Sequence, residues 1–462
     1  MQDALIASSK APIPIRALYE SEFAALKDAS LKALADTHRF KAKRGELLLV
    51  PDASGKLKSV VLGLGKPESA HPMIARGLPP RLPAGDYALE PRKGGPDATL
   101  FALGWMLGSY AFDRYRKRDD KARPRLAAPK GVDLDETLHI AHACALARDM
   151  VNTPAQDMGP LQIESLAREI AEAHGAKLDV TTGDDLLDEN YPAVHAVGRA
   201  ATQARAPRFL EITWNARKKA LPRLVIVGKG VVFDTGGLDL KSSAGMRQMK
   251  KDMGGGAHAL ALGRMVMQAK LPVRLSVLIP VVENAVSGDA FRPGDILSSR
   301  RGLTIEVGNT DAEGRLILAD ALARAGELEP DLTIDFATLT GAARVALGPQ
   351  LPPFYTSDDA LAGQIAKAAE AEADPVWRMP LWQGYRDAVD SDIADVRNDA
   401  AEWAQAGSVT AALFLERFAP ATGSWVHFDI FAWNPRARPG WPAGAEAQAI
   451  RAVYAVLKTR YS

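Results

Sequence analysis

Beyond residue 160 the chain alternates between two hydrophobic periods. Apolar, β-branched runs of strand length recur at 178–180, 208–213, 224–232, 275–282, 303–307, 331–337 and 426–431. Between them, as at 161–173, 257–269 and 316–325, apolar residues return every three to four positions. Short runs bounded by glycine, proline and asparagine predict strands, and the longer period predicts helices. Strands that are apolar at successive positions are covered on both faces. Their alternation with helices predicts an α/β fold built on a mixed, mostly parallel sheet with helices on each side.

The first 126 residues read as a separate, small α/β domain. Residues 46–50 and 59–64 predict strands joined by the turn Asp52-Ala53-Ser54-Gly55, and 87–89 a further strand. The spacing of Leu18, Phe23, Leu26, Leu31 and Leu34 predicts a helix over 17–35, and a second is expected over 99–115. Pro129-Lys130-Gly131 marks a break, and 137–150 reads as a connecting helix. The expected organisation is an N-terminal domain at 1–126, a linker with its helix at 127–155, and a larger domain at 156–462.

Charge narrows the function classes. In 462 residues, 57 basic side chains face 56 acidic ones, a formal net charge of +1. No long-range field gathers nucleic acid or an anionic membrane. The charge-dense stretch 114–125 is interrupted by Asp119 and Asp120, which favours a solvated linker face over a nucleic-acid patch. No apolar run reaches membrane-spanning length, and the first residues lack the charged start and apolar core of a signal peptide, so a cytoplasmic location is expected. The single cysteine, Cys144, lies in the predicted connecting helix, where a buried thiol is expected and no intrachain disulfide can form.

The chemistry concentrates in two segments. Asn309-Thr310-Asp311-Ala312-Glu313-Gly314-Arg315-Leu316 directly follows the predicted strand 303–307 and precedes a predicted helix. Open α/β sheets bind their ligands at such strand ends. Upstream, the run 224–232 leads into Lys229, Asp234, Lys241 and Asp252, set among glycines. Gly228-Lys229-Gly230 is neither a phosphate loop nor a dinucleotide fingerprint, because the further glycines at the required spacing are missing. Acids and bases crowded in this way read as a metal site or as an ion-pair knot.

Residues 309–316, together with Lys229, Asp234, Lys241 and Asp252 at intervals of 5, 7 and 11, resemble the leucyl aminopeptidase family of two-metal exopeptidases. The interval of 59 from Asp252 to Asp311 also fits. Weaker echoes are Asn152-Thr153-Pro154-Ala155, Ala337-Thr338-Leu339-Thr340-Gly341, Ser391-Asp392-Ile393-Ala394-Asp395 and His427-Phe428-Asp429-Ile430, so the resemblance covers 149 to the end. It implies one metal on Asp234, Asp311 and Glu313, and a second on Lys229, Asp234, Asp252 and Glu313. It implies that Lys241 meets the substrate carbonyl and oxyanion, and that Arg315 holds a bicarbonate acting as general base toward a metal-bridging hydroxide. Met249, Thr338, Leu339 and Gly341, with Lys241 and Asp252, are expected to bind substrate, and a residue near Ala445 to join the first side-chain pocket. The implied ions are zinc or manganese, with magnesium also suited to an oxygen-rich set, and the Asp234/Asp311/Glu313 site is expected to exchange its metal more readily. Short peptides with a free amino terminus are the implied substrates, and a hexamer built from two trimers the implied assembly. The strands 224–232 and 303–307 would then be neighbours.

Four carboxylates in one crevice repel and raise one another's pKa values unless cations neutralise them. Lys229 can act as a ligand only as a neutral amine. From a reference pKa near 10.4, removing its proton at pH 7 costs about 4.6 kcal/mol, which a neighbouring divalent ion can offset. Taken alone, Lys229 reads more simply as a salt bridge; the full spacing reverses that.

Two other function classes compete. A two-metal phosphoesterase usually recruits histidine, yet of the eight histidines only His258 lies near these segments, inside a predicted helix. A DNA-binding regulator conflicts with the neutral charge. His258 and His427 are expected to pack, the latter as a satisfied core histidine, and Asp392, Asp395 and Asp429 to be structural. The C-terminal segment Ala445-Glu446-Ala447-Gln448 departs from the family pattern. Glu446 could face the pocket, but is read as opening the last helix, since glutamate favours the first turn.

Overall fold

The structure, a computed structural model, describes residues 3–116, 122–400 and 405–462. The chain divides into two units, Met1–Ala145 with Arg436–Ala443, and Leu146–Pro435 with Gly444–Ser462.

In the smaller unit the sheet order is β1 (Leu5–Ile6), β6 (Pro124–Ala127), β5 (Gly85–Leu89), β2 (Ile13–Tyr19), β4 (Leu57–Gly65) and β3 (Leu47–Pro51). The helix expected over 17–35 is wrong in its first part. Ile13–Tyr19 is a strand between β4 and β5, and helices occupy only Glu20–Ala25 and Ala29–Thr37. Leu18 seeded the helical spacing, but it belongs to a strand that buries Ile15, Ala17 and Leu18. The Asp28 carboxylate then accepts from Leu31 N (2.9 Å) and starts the second helix afresh. The helix expected over 99–115 spans Ala98–Gly108. Within the charge-dense stretch, residues 117–121 lie outside the described ones. The helix Leu134–Asn152 carries the chain from one unit to the next, with Cys144 buried in it.

The larger unit is built on nine described strands: β7 (Lys177–Thr182), β8 (Arg208–Trp214), β9 (Arg223–Gly228), β10 (Gly230–Asp234), β11 (Arg274–Asn284), β14 (Leu332–Ala337), β15 (Pro353–Tyr355), β16 (Trp377–Arg378) and β18 (Ser424–Asp429). Their order is β16-β15-β18-β14-β9-β11-β8-β7, with β10 paired to β11 beyond the end of β9. The centre, β18-β14-β9-β11, is parallel; β8, β7 and β15 join antiparallel. Every residue of β14 and all but the first of β9 are buried, so side chains on both faces are covered. The helices Gly254–Gln268 and Glu313–Glu327 both pack on β9 and β11.

Two expectations change here. The run 224–232 is not one strand: it breaks at Lys229. The strand expected at 303–307 is β13 (Thr304–Glu306), which lies outside the main sheet. With β12 (Ile296–Ser298) and β17 (Val396–Arg397) it forms a three-stranded sheet, so it is not a neighbour of β9 or β10. An apolar run of three to five residues carries no signal of which sheet it joins.

Candidate metal centre

Lys229 occupies the break between β9 and β10. Its N–H donates to Phe336 O at the end of β14 (3.0 Å), and its carbonyl accepts from Gly256 N (2.7 Å). The helix Gly254–Gln268 thus begins directly against two strand ends. A Cβ at Gly255 would lie 2.1 Å from Phe336 O, so the glycine run allows an approach that a side chain would block. The Lys229 side chain then runs toward Gly314, where a Cβ would stand 2.6 Å from Nζ. Glu313 opens its helix and Arg315 follows in the first turn.

The structure brings together residues that were far apart in sequence. Lys229 Nζ lies 2.7 Å from Asp252 Oδ2 and 2.9 Å from Glu313 Oε1, and donates to Thr338 O at 3.2 Å. Lys241 Nζ lies 2.8 Å from Asp234 Oδ2 and also pairs with Asp311. Ligand atoms of Asp234, Asp252 and Glu313, all buried, fall within 4.8 Å of one another. Asp311 is outside that trio and one-third exposed, linked to it through Lys241. Arg315 is 8% exposed, and its Nε meets no hydrogen-bond acceptor among the described residues. It lines a cavity of about 390 Å³ together with Asp311, Leu339, Thr340, Gly341 and Asp399.

Burial and the Asp234 charge push the Glu313 carboxyl up to about 8, against the pull of Lys229. The same two causes raise Asp311 to about 6, opposed by Lys241. At Asp252, Lys229 and Lys251 outweigh burial and hold the carboxyl well below its usual range. At Lys229, burial is outweighed by Asp252, Glu313 and Asp234, and the ammonium is held above its ordinary value. The Lys229 ammonium meets Asp252 Oδ2 and Glu313 Oε1, which leaves Glu313 Oε2 buried without a hydrogen bond among the described residues. Such oxygens are costly to bury unless a cation meets them. A buried set of carboxylate oxygens and one amine fits a hard to borderline divalent ion.

The expected substrate residues surround this cluster. Met249 opens the short turn Met249–Met253 that carries Asp252. Thr338 Oγ1 donates to Asp252 Oδ1 (2.9 Å), and Leu339 N donates to Asp429 Oδ1 (2.9 Å). Gly341 begins the helix Gly341–Leu347, capped by Thr340. Several supporting residues escaped the sequence reading. Lys251 Nζ is 3.1 Å from Asp252 Oδ1. Asn398 accepts from Gly308 N and Asn309 N, and donates to Asn309 O, which fixes the loop before Asp311. Asn284, at the end of β11, bonds to Asp234. The asparagines sat in unremarkable stretches and carried no charge to draw notice.

His258 packs: its Nδ1 is 2.6 Å from Gly254 O, and its Nε2 accepts from Gln448 N (3.0 Å). His427 is buried with Nδ1 2.5 Å from Asp335 Oδ1, but its Nε2 meets no partner among the described residues, so it is only half satisfied. Glu446 does not open the last helix, which begins at Ile450. It is buried and accepts from Asn434 Nδ2 (3.0 Å).

Comparison with known proteins carries the same pattern. The catalytic-domain model of the cytosol aminopeptidase family matches residues 145–454, and the N-terminal-domain model of the M17 aminopeptidases matches 13–129. A probable cytosol aminopeptidase of Syntrophotalea carbinolica is 36% identical over 92% of this chain and 90% of its own length. The crystal structure of a cytosol aminopeptidase from Coxiella burnetii superposes with a TM-score of 0.93 at 41% identity, covering all of both chains. The bottromycin maturation enzyme BotP, solved in complex with Mn, superposes with a TM-score of 0.86 at 32% identity over 98% of this chain and all of that one. With its buried acidic cluster and both domain matches, this chain belongs to the metal-dependent cytosol aminopeptidase family and is a hydrolase of the aminopeptidase class.

Proposed function

We propose that the chain removes the amino-terminal residue from short peptides with the help of two divalent ions. Asp234, Asp252, Asp311 and Glu313 would hold them, with Asp234 and Glu313 shared, and Lys229 would join as a neutral amine once the ions displace the proton that the surrounding acids hold on it in their absence. The carrying observation is the buried convergence of Asp234, Asp252 and Glu313, in which Glu313 Oε2 has no hydrogen-bond partner among the described residues. When bound, such a pair polarises a carbonyl and supplies hydroxide near neutral pH. Zinc or manganese, with magnesium as a weaker candidate, suits the donors; the manganese complex of BotP supports manganese.

The chain's own residues do the remaining work. Lys241 directs positive charge at the carbonyl oxygen as it becomes an oxyanion, commonly a large contribution to rate. Arg315, buried, lining the cavity and with an Nε that meets no acceptor among the described residues, is suited to hold a small planar anion such as bicarbonate, which would take the proton of the attacking water. The substrate amine would lie beside Asp252, at the ion held there, and Met249, Thr338, Leu339 and Gly341 would position the first residue. The reaction is assigned to 156–462, joined by 127–155 to a domain at 1–126. We further propose a cytoplasmic hexamer. Among the described residues no helix is long and apolar enough to cross a membrane.

Turnover of an aminoacyl-nitroanilide, compared with a phenyl phosphate, tests the reading. A strong chelator should abolish peptidase turnover, and zinc or manganese should restore it. Asp311→Asn and Glu313→Gln should each cut kcat by at least about a hundredfold, together with loss of bound metal. Full activity of the chelated protein, or preference for the phosphate ester, would sink the reading.

A further inference from the structure

The two segments proposed to hold metal come from different sheets, and one neutral side chain ties them together. Asn284 is the last residue of β11 and fully buried. It stands opposite Asp234 in the β10–β11 pairing, where the register shifts between Val231 and Asp234. Its Nδ2 donates to Asp234 Oδ1 (2.9 Å) and to Thr310 O (3.1 Å). Its backbone carbonyl accepts from Thr235 N (3.1 Å) and Thr235 Oγ1 (2.9 Å). Both amide hydrogens therefore meet acceptors, one on each segment, and only a double donor fits that place.

The consequence for Asp234 is geometric. Its Oδ1 receives Asn284 Nδ2 and Gly236 N (2.9 Å), while Oδ2 is left toward Lys241. One carboxylate oxygen is tied to the scaffold and the other is presented to the charged cluster. Thr310 is secured from its far side as well. Its N–H donates to Asp239 Oδ2 (2.7 Å), and its Oγ1 donates to Gly236 O (2.6 Å) and accepts from Asp239 N (2.9 Å). Thr310 immediately precedes Asp311, so Asn284 sets the distance between the two ligand-bearing segments.

We propose that Asn284 is a positioning residue for the metal centre: it orients Asp234 and holds the loop 309–312 in register with it. Outer-shell partners of this kind typically contribute about 10–100-fold in metal affinity. This inference rests on the metal reading of the site. The test is equilibrium dialysis of the metal-free full-length chain against Mn²⁺ alone, with thermal midpoints measured in parallel. Asn284→Leu keeps the shape without a donor and should bind Mn²⁺ about 10–100-fold more weakly than wild type while still folded. Asn284→Ser, which restores one donor, should fall between them. A packing role alone would lower the midpoint and leave the affinity of the folded protein unchanged. If Asn284→Leu fails to fold, Asn284→Ser carries the comparison, and wild-type affinity in that variant overturns the proposal. Equal affinity in a folded Asn284→Leu overturns it directly. A wild-type chain that binds no Mn²⁺ overturns the metal reading itself, a different result from equal binding by wild type and variant.

Discussion

Gly314 has no side chain because Lys229 occupies the space one would need. A Cβ there would stand 2.6 Å from Nζ, against the flexible end of a buried side chain rather than against backbone. Gly314→Ala should therefore cost about 1–3 kcal/mol by urea unfolding, because the buried, ion-paired tip of Lys229 must shift while no backbone need move. It should also cut kcat/KM by about tenfold or more, since displacement of a positioned group by an ångström is costly to catalysis. An unchanged kcat/KM would show that Lys229 need not sit where it does. At this scale the sequence was legible wherever charge and spacing spoke together. Lys229, Asp234, Asp252 and Glu313 converge as the family resemblance carried by their spacing implied, with Asp311 at the margin through Lys241. What holds them was not legible. Asn284 and Asn398 act through hydrogen bonds whose partners are 26 to 90 residues away, and spacing along the chain does not encode such partners.

Elements bring those residues together through close backbone approach, and the glycine run at 254–256 is the clearest case. Unlike Gly314, Gly255 faces a backbone carbonyl, with a built Cβ 2.1 Å from Phe336 O. Gly255→Ala must push the helix Gly254–Gln268 off β14, and should cost about 3 kcal/mol of stability. A midpoint within one degree of wild type would refute that packing account. The same helix carries a pH-sensitive lock. Burial pushes the His258 imidazole down to about 4, against the Gly254 carbonyl and the charges of Asp374 and Glu446. The unfolded chain takes up this proton near 6.5 and the folded chain only near 4, so stability contributed by neutral His258 is present above pH 6.5 and lost as pH falls toward 4. The loss amounts to about 3 kcal/mol. His258→Gln should show a flatter decline of thermal midpoint between pH 6.5 and 4; an identical decline would mean His258 remains neutral in the unfolded chain or charges without penalty. The strands and helices named beyond residue 160 were for the most part legible from hydrophobic period; shorter elements such as β12, β15, β16 and β17 were not. The failures were local competitions: Leu18 served a strand while matching a helical spacing, and the run at 224–232 broke at Lys229, whose N–H makes the last bond of the β9–β14 ladder while its carbonyl turns to a helix start.

For the whole molecule, the parallel sheet, buried on both faces, supplies the rigid floor on which an expensive charge cluster can be kept. Nearly equal numbers of acids and bases leave no net field, so recognition of substrate falls to the site rather than to steering. The proposed hexamer has a simple check: light scattering should give six times the 49.5 kDa chain mass, and a monomer mass across micromolar concentrations would contradict it. Sheet membership was the part of the architecture least visible in advance, as the placement of β13 in a separate three-stranded sheet shows. The central claim, that buried Asp234, Asp252 and Glu313 exist to hold catalytic metal, is tested most directly by titrating zinc or manganese into chelator-stripped protein. Bound metal and aminoacyl-nitroanilide turnover should be followed on the same samples. Turnover should be absent in the stripped protein, rise with the ions taken up, and level off at two per chain. Full turnover by protein shown by elemental analysis to hold no metal would contradict the account.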